Sequence, residues 1–319
     1  MESKNKRIIS KFFLLISTLA ISCVIFQNGT ICLSNNDNNK FKEITNLKTS
    51  YYNNSCEPIF IDGKATGVGA HNWSWAVNQP WCTNKSGIYH IENLTINGNN
   101  NTSCIEIHNS NASFIIKNCT LYNSSFGTTP YIDAGIRIVN TSNGLIVNNN
   151  CSLNNGAGIL LTNFSNNNVV LNNILNDNYA GIVVWGGNGE CNNNDLYNNS
   201  LDYHAYAGIA VISSLYTNVS MNRAVNSSMG IIVQGCNYSL IYDNNVSLNI
   251  LRGITISYSN FNTAINNIAF NNTYGIMVEY ASFNNITGNI LENNTYGIFL
   301  NIIMSHQILY IIIIKTAFY

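Results

Sequence analysis

Charge is what this chain has least of. Charged residues make up 9% of its 319 positions, and the formal net charge is −1. No lysine occurs between Asn118 and Ile314, and the only arginines there are Arg137, Arg223 and Arg252. Neutralising a phosphate backbone needs clustered Lys and Arg, so nucleic acid is excluded as a partner. Nine cysteines are present without a C-x-x-C pair, which argues against a structural zinc site. Good helix formers are scarce. Asn, Gly, Ser, Thr and β-branched residues dominate, so nothing in the repeats described next reads as helical. Much Asn can signal disorder, but Ile and Val at fixed spacing argue for a packed core instead.

What is there is a period. The stretch NNTYGI occurs at 271–276 and again at 293–298. Its Gly-Ile pair recurs at Gly135, Gly158, Gly181, Gly208, Gly230, Gly253, Gly275 and Gly297. The spacing stays near 22 or 23, with one interval of 27 between Gly181 and Gly208. Such a period marks one supersecondary unit stacked on copies of itself.

After each glycine comes apolar-x-apolar, as in Ile182 and Val184 or Ile254 and Ile256. Period-two alternation is a strand with one buried face, so Ile254 should point inward and Thr255 outward. Asn recurs eight residues before the glycine, at Asn150, Asn173, Asn222, Asn245, Asn267 and Asn289. Asn154, Asp177, Asn226, Asn249, Asn271 and Asn293 fall four before it. Asn tolerates left-handed backbone and marks corners. Each unit therefore reads as three short strands joined at Asn and Gly corners. That is a coil of an all-β, right-handed parallel β-helix, and about ten coils stacked about 4.8 Å apart are expected.

The flanks differ. In residues 1–27, Lys4, Lys6, Arg7 and Lys11 precede an apolar run from Phe12 to Phe26, the layout of a secretory signal. The run is short for a membrane span. A retained anchor, or lipidation at Cys23, is the alternative to cleavage and the one route to a membrane. Residues 28–57 read as an Asn-rich linker, 58–96 as an N-terminal cap with the first strands, 97–300 as the solenoid, and 301–319 as an atypical apolar tail. That tail is a cap, a strand on the apolar outward column, or a truncated end. Trp73, Trp75 and Trp81 fall in the cap segment and read as cap packing or as a sugar-stacking site.

A secreted or cell-surface location agrees with N-x-[ST] sequons such as Asn72, Asn93, Asn118, Asn218 and Asn285, which mark glycan acceptors in exported chains. Cys56 and Cys82 flank the Trp-rich segment and are expected to form a disulfide. Cys119 and Cys151 stand where other units have Ile, so they read as small core residues.

The long coil is the candidate site, because loops that break a regular scaffold carry function. WGGNGECNNNDLYNNSLDYHAYAG holds Glu190, Asp195, Asp202 and His204 with Trp185, Tyr203 and Tyr206, and Asp177 lies one coil earlier. Carboxylates beside aromatics suit a sugar site. Asp177, Asp202 and His204 are the catalytic candidates; Trp185, Tyr203, Tyr206 and Glu190 are the ligand-binding ones. No third ligand is spaced to make Asp202 and His204 a metal site.

These repeats resemble the right-handed parallel β-helix repeats of NosD-like and pectate-lyase-like proteins. NNITGNILENNTYGIFL is similar to their N-x-I-x-x-N-x-I-x-x-N-x-x-x-G-I unit. The opening PIFIDG…W…YHIENLTING resembles the first segment of exported archaeal β-helix proteins, but here no proline precedes the Ile-x-x-Leu strand. The resemblance covers residues 58–300 and implies fold more than function. It implies carbohydrate lyases, hydrolases and epimerases, surface adhesins, or a copper-site accessory protein.

The outward columns carry almost no acid, so the first expectation is a non-catalytic protein that binds a polysaccharide, a cell-surface glycan or a surface protein. A polysaccharide lyase, hydrolase or epimerase is the alternative. A copper accessory would want Met, His or Cys clusters, and here the five His and five Met are scattered. No cofactor is expected, with calcium entering only for a lyase.

Overall fold

The computed structural model describes residues 55–128, 131–187, 189–301 and 310–315. The export signal and nearly all of the Asn-rich linker lie outside the described residues. From Ser55 onward the chain is a right-handed parallel β-solenoid of about nine turns, almost without helix. Its largest sheets have ten and twelve strands. The third face is a chain of short strands such as Ile174–Asn176, Ser200–Asp202 and Arg223–Val225, continued by single bridges at Asn150 and Asn245.

The ten-stranded sheet carries the Gly-Ile register seen in the sequence. Ile136 pairs with Ile159, Ile159 with Ile182, Ile182 with Ile209, and so on to Ile298. The residues from Ile136 to Ile276 in this column are fully buried, as are Val184, Val211, Val233 and Val278. The marker glycines lie within these strands rather than at corners. A Cβ on Gly135 would stand 2.8 Å from the Gly158 carbonyl oxygen, and one on Gly253 2.6 Å from that of Gly275. Close stacking of coils, not left-handed backbone, is what requires glycine there.

The outward column departs from expectation. Leu160, Val183, Ala210, Ile232, Thr255 and Met277 are all buried, and Thr255 is 2% exposed with a hydroxyl that finds no partner among the described residues. A carboxylate at Thr255 would therefore be costly, like one at Ile254. Ile132, Tyr179, Trp185 and Tyr206 pack over the upper part of this face. Runs such as GIVVW and GIAVI are those of a parallel sheet buried on both sides.

Two adjacent residues share the work at each corner. At the corner after the twelve-stranded sheet, Asn148, Asn172, Asn198, Met221, Asp243 and Asn266 have φ between 52° and 56°. The next residue, Asn149, Asn173, Asn199, Asn222, Asn244 or Asn267, turns inward as a buried rung. Each rung's backbone N–H donates to the Oδ1 of the rung in the following coil, at 2.9–3.0 Å. Its Nδ2 donates to a carbonyl of the preceding coil, as Asn222 does to Leu196 at 2.8 Å. A second ladder runs through Asn154, Asn178, His204, Ser227, Asn249 and Asn272.

The first coil begins inside the segment read as a cap. Ile59–Asp62 is already a strand of the ten-stranded sheet, and Thr95–Asn97 lies on the third face. The Trp-rich stretch is an insertion in this coil and forms the helix Trp73–Ala76, capped by Asn72. Trp73 is buried, donates from Nε1 to Ser110 Oγ at 2.7 Å, and stacks on Tyr89. It packs into the core. In the tail, Tyr310–Lys315 pairs with Asn285–Ile290 as a further rung of the twelve-stranded sheet, not on the outward column.

Candidate functional site

The structure disperses the long-coil residues. His204 does not face solvent: it fills a rung of the second ladder at 3% exposure, accepting or donating at Nδ1 toward Asn178. Burial pulls its pKa down to about 4. It is therefore neutral when folded, whereas the unfolded chain protonates near the ordinary histidine pKa. Stability from this rung is complete above pH ~6.5 and is lost as pH falls through that value toward ~4, up to about 3 kcal/mol. His204→Asn, which restores the amide of neighbouring rungs, is expected to flatten this part of the stability–pH curve. Urea melts at pH ~6.5 and ~4 check it.

Asp202 lies on the third face, paired with Arg223 at 2.9 Å and with Asn226 at 2.8 Å. Asp177 and Tyr203 are exposed left-handed corner residues there. Glu190 sits in the loop after Trp185, at the opposite edge of the ten-stranded sheet, and accepts from Asn192. Asp195 is exposed on the twelve-stranded sheet. Trp185 and Tyr206 share a patch with Tyr179 over the ten-stranded sheet, while Asp177, Asp202 and Tyr203 meet at the third-face corner, where the Asp177 N–H donates to the Asp202 carbonyl at 3.0 Å. Tyr206 stacks on Tyr179, and burial pushes its hydroxyl up to about 12.

The expected disulfide is absent, since Cys56 and Cys82 are both free thiols. Cys56 belongs to the third face and Cys82 opens a hairpin on the twelve-stranded sheet, so their strands do not meet. Cys119 and Cys151 are core residues, 1% and 0% exposed.

A cluster that the sequence reading missed lies on the outer face of the ten-stranded sheet, at its first coils. Phe60, Glu106 and Arg137 are register partners there, as are Asp62, His108 and Val139. These side chains stand on one face because they are alternate residues of adjacent strands. His108 Nε2 bonds Glu106 Oε1, and no partner is found for Nδ1 among the described residues. With Nε2–H donating, Nδ1 holds the lone pair.

Arg137 Nη1 donates to the same Glu106 oxygen at 2.9 Å and lies 3.9 Å from Asp133 Oδ1. Its Nε is buried without a partner among the described residues. Ser103 holds Asp133 at 3.1 Å, and the edge of Phe60 meets His108 with ring centroids 5.2 Å apart. All four ionisable side chains are partly exposed. The arrangement places an imidazole base oriented by a carboxylate beside a guanidinium, the parts needed to move a proton and stabilise the anion left behind.

Fold and repeat together define a right-handed parallel β-solenoid. The chain belongs to the right-handed β-helix family, whose model, described as "Right handed beta helix region", matches residues 16–224. A second family model, "Periplasmic copper-binding protein (NosD)", matches residues 202–310. No curated protein matches.

Among solved structures the chain is similar to the periplasmic alginate epimerase AlgG, at 13% identity and TM-score 0.54, covering 81% of this chain and 83% of that one. Against another structure of the same epimerase it spans 62% of that chain. It is also similar to the Azotobacter vinelandii mannuronan C-5 epimerase AlgE4 A-module, at 15% identity and TM-score 0.51, covering 67% and 74%. For the active domain of the bacteriophage CBA120 tailspike protein 2 the values are 12% and 0.50, with 66% and 34% covered. At these identities the likeness shows the fold.

The described residues show no donor group that fits the copper in the NosD description. Among the described residues, no three His, Cys, Asp or Glu side chains are grouped as a metal site. Burial pushes the Cys104, Cys119 and Cys236 thiols up to about 12. Among the described residues no helix is long and apolar enough to cross a membrane.

Proposed function

We propose that this β-helix protein is an exported enzyme that acts on an acidic polysaccharide by moving a proton next to a sugar carboxylate. The observation that carries the reading is the Glu106–His108–Arg137–Asp133 cluster. In a chain with 9% charged residues, two adjacent coils bring four ionisable groups together on one sheet face.

His108 Nδ1 takes the proton from the carbon beside the carboxylate, and the C–H electrons pass into the carboxylate as an enolate. Glu106 orients the imidazole and stabilises the imidazolium. Arg137 stabilises the enolate through nitrogens not committed to Glu106. A proton delivered to the other face from solvent water, with the His108 proton passing to solvent, gives epimerisation, and expulsion of the neighbouring glycosidic oxygen, which takes the proton from the His108 imidazolium, gives elimination. Both keep atoms and electrons balanced without a redox partner. The alginate epimerases among its structural neighbours support this class of substrate.

The non-catalytic reading keeps one observation in its favour. Trp185, Tyr179 and Tyr206 form an aromatic patch on the same sheet face. Incubation with alginate and polygalacturonate separates the two readings. The enzyme is expected to produce unsaturated ends, read in the ultraviolet, or inverted uronate signals in proton NMR. Glu106→Gln is expected to reduce turnover and shift its pH profile while binding persists. Binding without turnover on any polyuronate would leave the non-catalytic reading in its place.

A further inference from the structure

The corner between the ten- and twelve-stranded sheets changes character along the rod. One of its left-handed positions is held by Asn143, Asn167 and Asn193 in earlier coils, then by Tyr216, Tyr238, Phe261 and Phe283. These four rings have φ between 53° and 57°. A bulky aromatic is a poor occupant of that conformation, whereas Asn adopts it readily. The rings stack face to face along the rod, with centroids 5.2, 5.3 and 5.0 Å apart, and remain about half exposed. A second left-handed position of the same corner carries Tyr258 and Tyr280, stacked at 4.9 Å.

Between the two columns in the chain runs Asn237, Asn260 and Ser282. Asn237 Oδ1 accepts the Asn260 N–H at 2.7 Å, and Asn260 Oδ1 accepts that of Ser282 at 2.8 Å. Both Nδ2 groups have no partner among the described residues and remain free to donate. Among the described residues no charged side chain belongs to the strip, and Glu279, which acts on Tyr258, lies 3.7 Å from Arg252.

Stacking offsets part of the backbone cost, at about 0.5–1.5 kcal/mol per pair. That offset comes with exposed apolar edges which the Asn of earlier coils avoids, so the fold gains little from the exchange. We infer that this aromatic corner is a second binding site, separate from the charged cluster, for an uncharged glycan chain lying along the rod axis. The rings wall the chain on either side and the amides donate to its hydroxyls. The 5.0–5.3 Å step of the ladder is close to the advance of one pyranose in an extended chain. The lack of charge excludes polyanions, whose carboxylates would find no cation there.

The test is calorimetric titration of the full chain with gluco-, manno-, galacto- and xylo-hexaoses. At least one is expected to bind, with affinity unchanged between about 0.1 and 1 M salt. The triple variant Tyr238→Asn, Phe261→Asn, Phe283→Asn is expected to weaken binding by about tenfold or more. Its melting temperature should be unchanged or higher, because Asn suits the left-handed corner. Absence of binding to all four sugars, or binding untouched by the triple variant, overturns the site. A variant that melts well below the parent would make the rings structural, and a wild-type dimer dissociated by the same changes would make the occupant a second copy. Turnover is not measured, so failure here leaves the proposed enzyme activity standing, and the reverse also holds.

Discussion

His108→Ala is expected to reduce turnover of an acidic polysaccharide by about 10²–10⁴-fold, the usual contribution of a positioned base. The fall should appear in kcat more than in KM, because the imidazole acts on the reacting proton rather than holding the chain. Folding should be preserved. His108 is partly exposed and points out of the solenoid, and its ring bonds Glu106 and meets Phe60 on the outer face, so its removal opens no core cavity. Polymer binding by the variant, with turnover lost, is the signature of this role. Full activity in His108→Ala would remove the cluster as the reactive centre.

Asn222→Ala is expected to destabilise the solenoid by about 3 kcal/mol or more, although it removes only one small side chain. Asn222 Oδ1 accepts both the backbone N–H and the Nδ2 of Asn199, at 2.9 and 3.0 Å. Its Nδ2 donates to the Leu196 carbonyl at 2.8 Å and to Asn244 Oδ1 at 3.1 Å. The rung is 1% exposed, so water does not replace these partners. Alanine leaves the buried Asn199 N–H and the buried Leu196 carbonyl of the preceding coil without this partner, and each costs about 1–3 kcal/mol. A urea midpoint close to the parent's would show that the ladder relaxes or hydrates.

The solenoid was legible because stacking forces equivalent residues to repeat. Ile136 through Ile298 occupy one register column, as their period-two pattern and Gly markers require. The corners were legible only in part. Where two amides are adjacent, as at Asn149 and Asn150, spacing does not say which one turns inward. Asp177 falls on the marker position, but the rung is Asn178 and Asp177 supplies the left-handed turn.

His204 looked reactive because it stood among acids. Only its place between the Asn178 and Ser227 rungs makes it a core residue. The cluster at Glu106 and His108 escaped notice because its coil has Cys104–Ile105 where others have Gly-Ile. Its partner Arg137 also lies 31 positions on, beyond a longer connection. Reading Ile105 and Ile107 as the inward pair would have placed Glu106 above Arg137.

The amide rungs also say what would happen to a severed chain. Asn222 touches the coil before it through Leu196 and Asn199 and the coil after it through Asn244. A cut in the surface loop between Trp185 and Cys191 would divide the polypeptide, yet both fragments would still be laced together by side-chain and strand bonds between coils. The rod would come apart as a zipper does, from an exposed end, rather than at the cut.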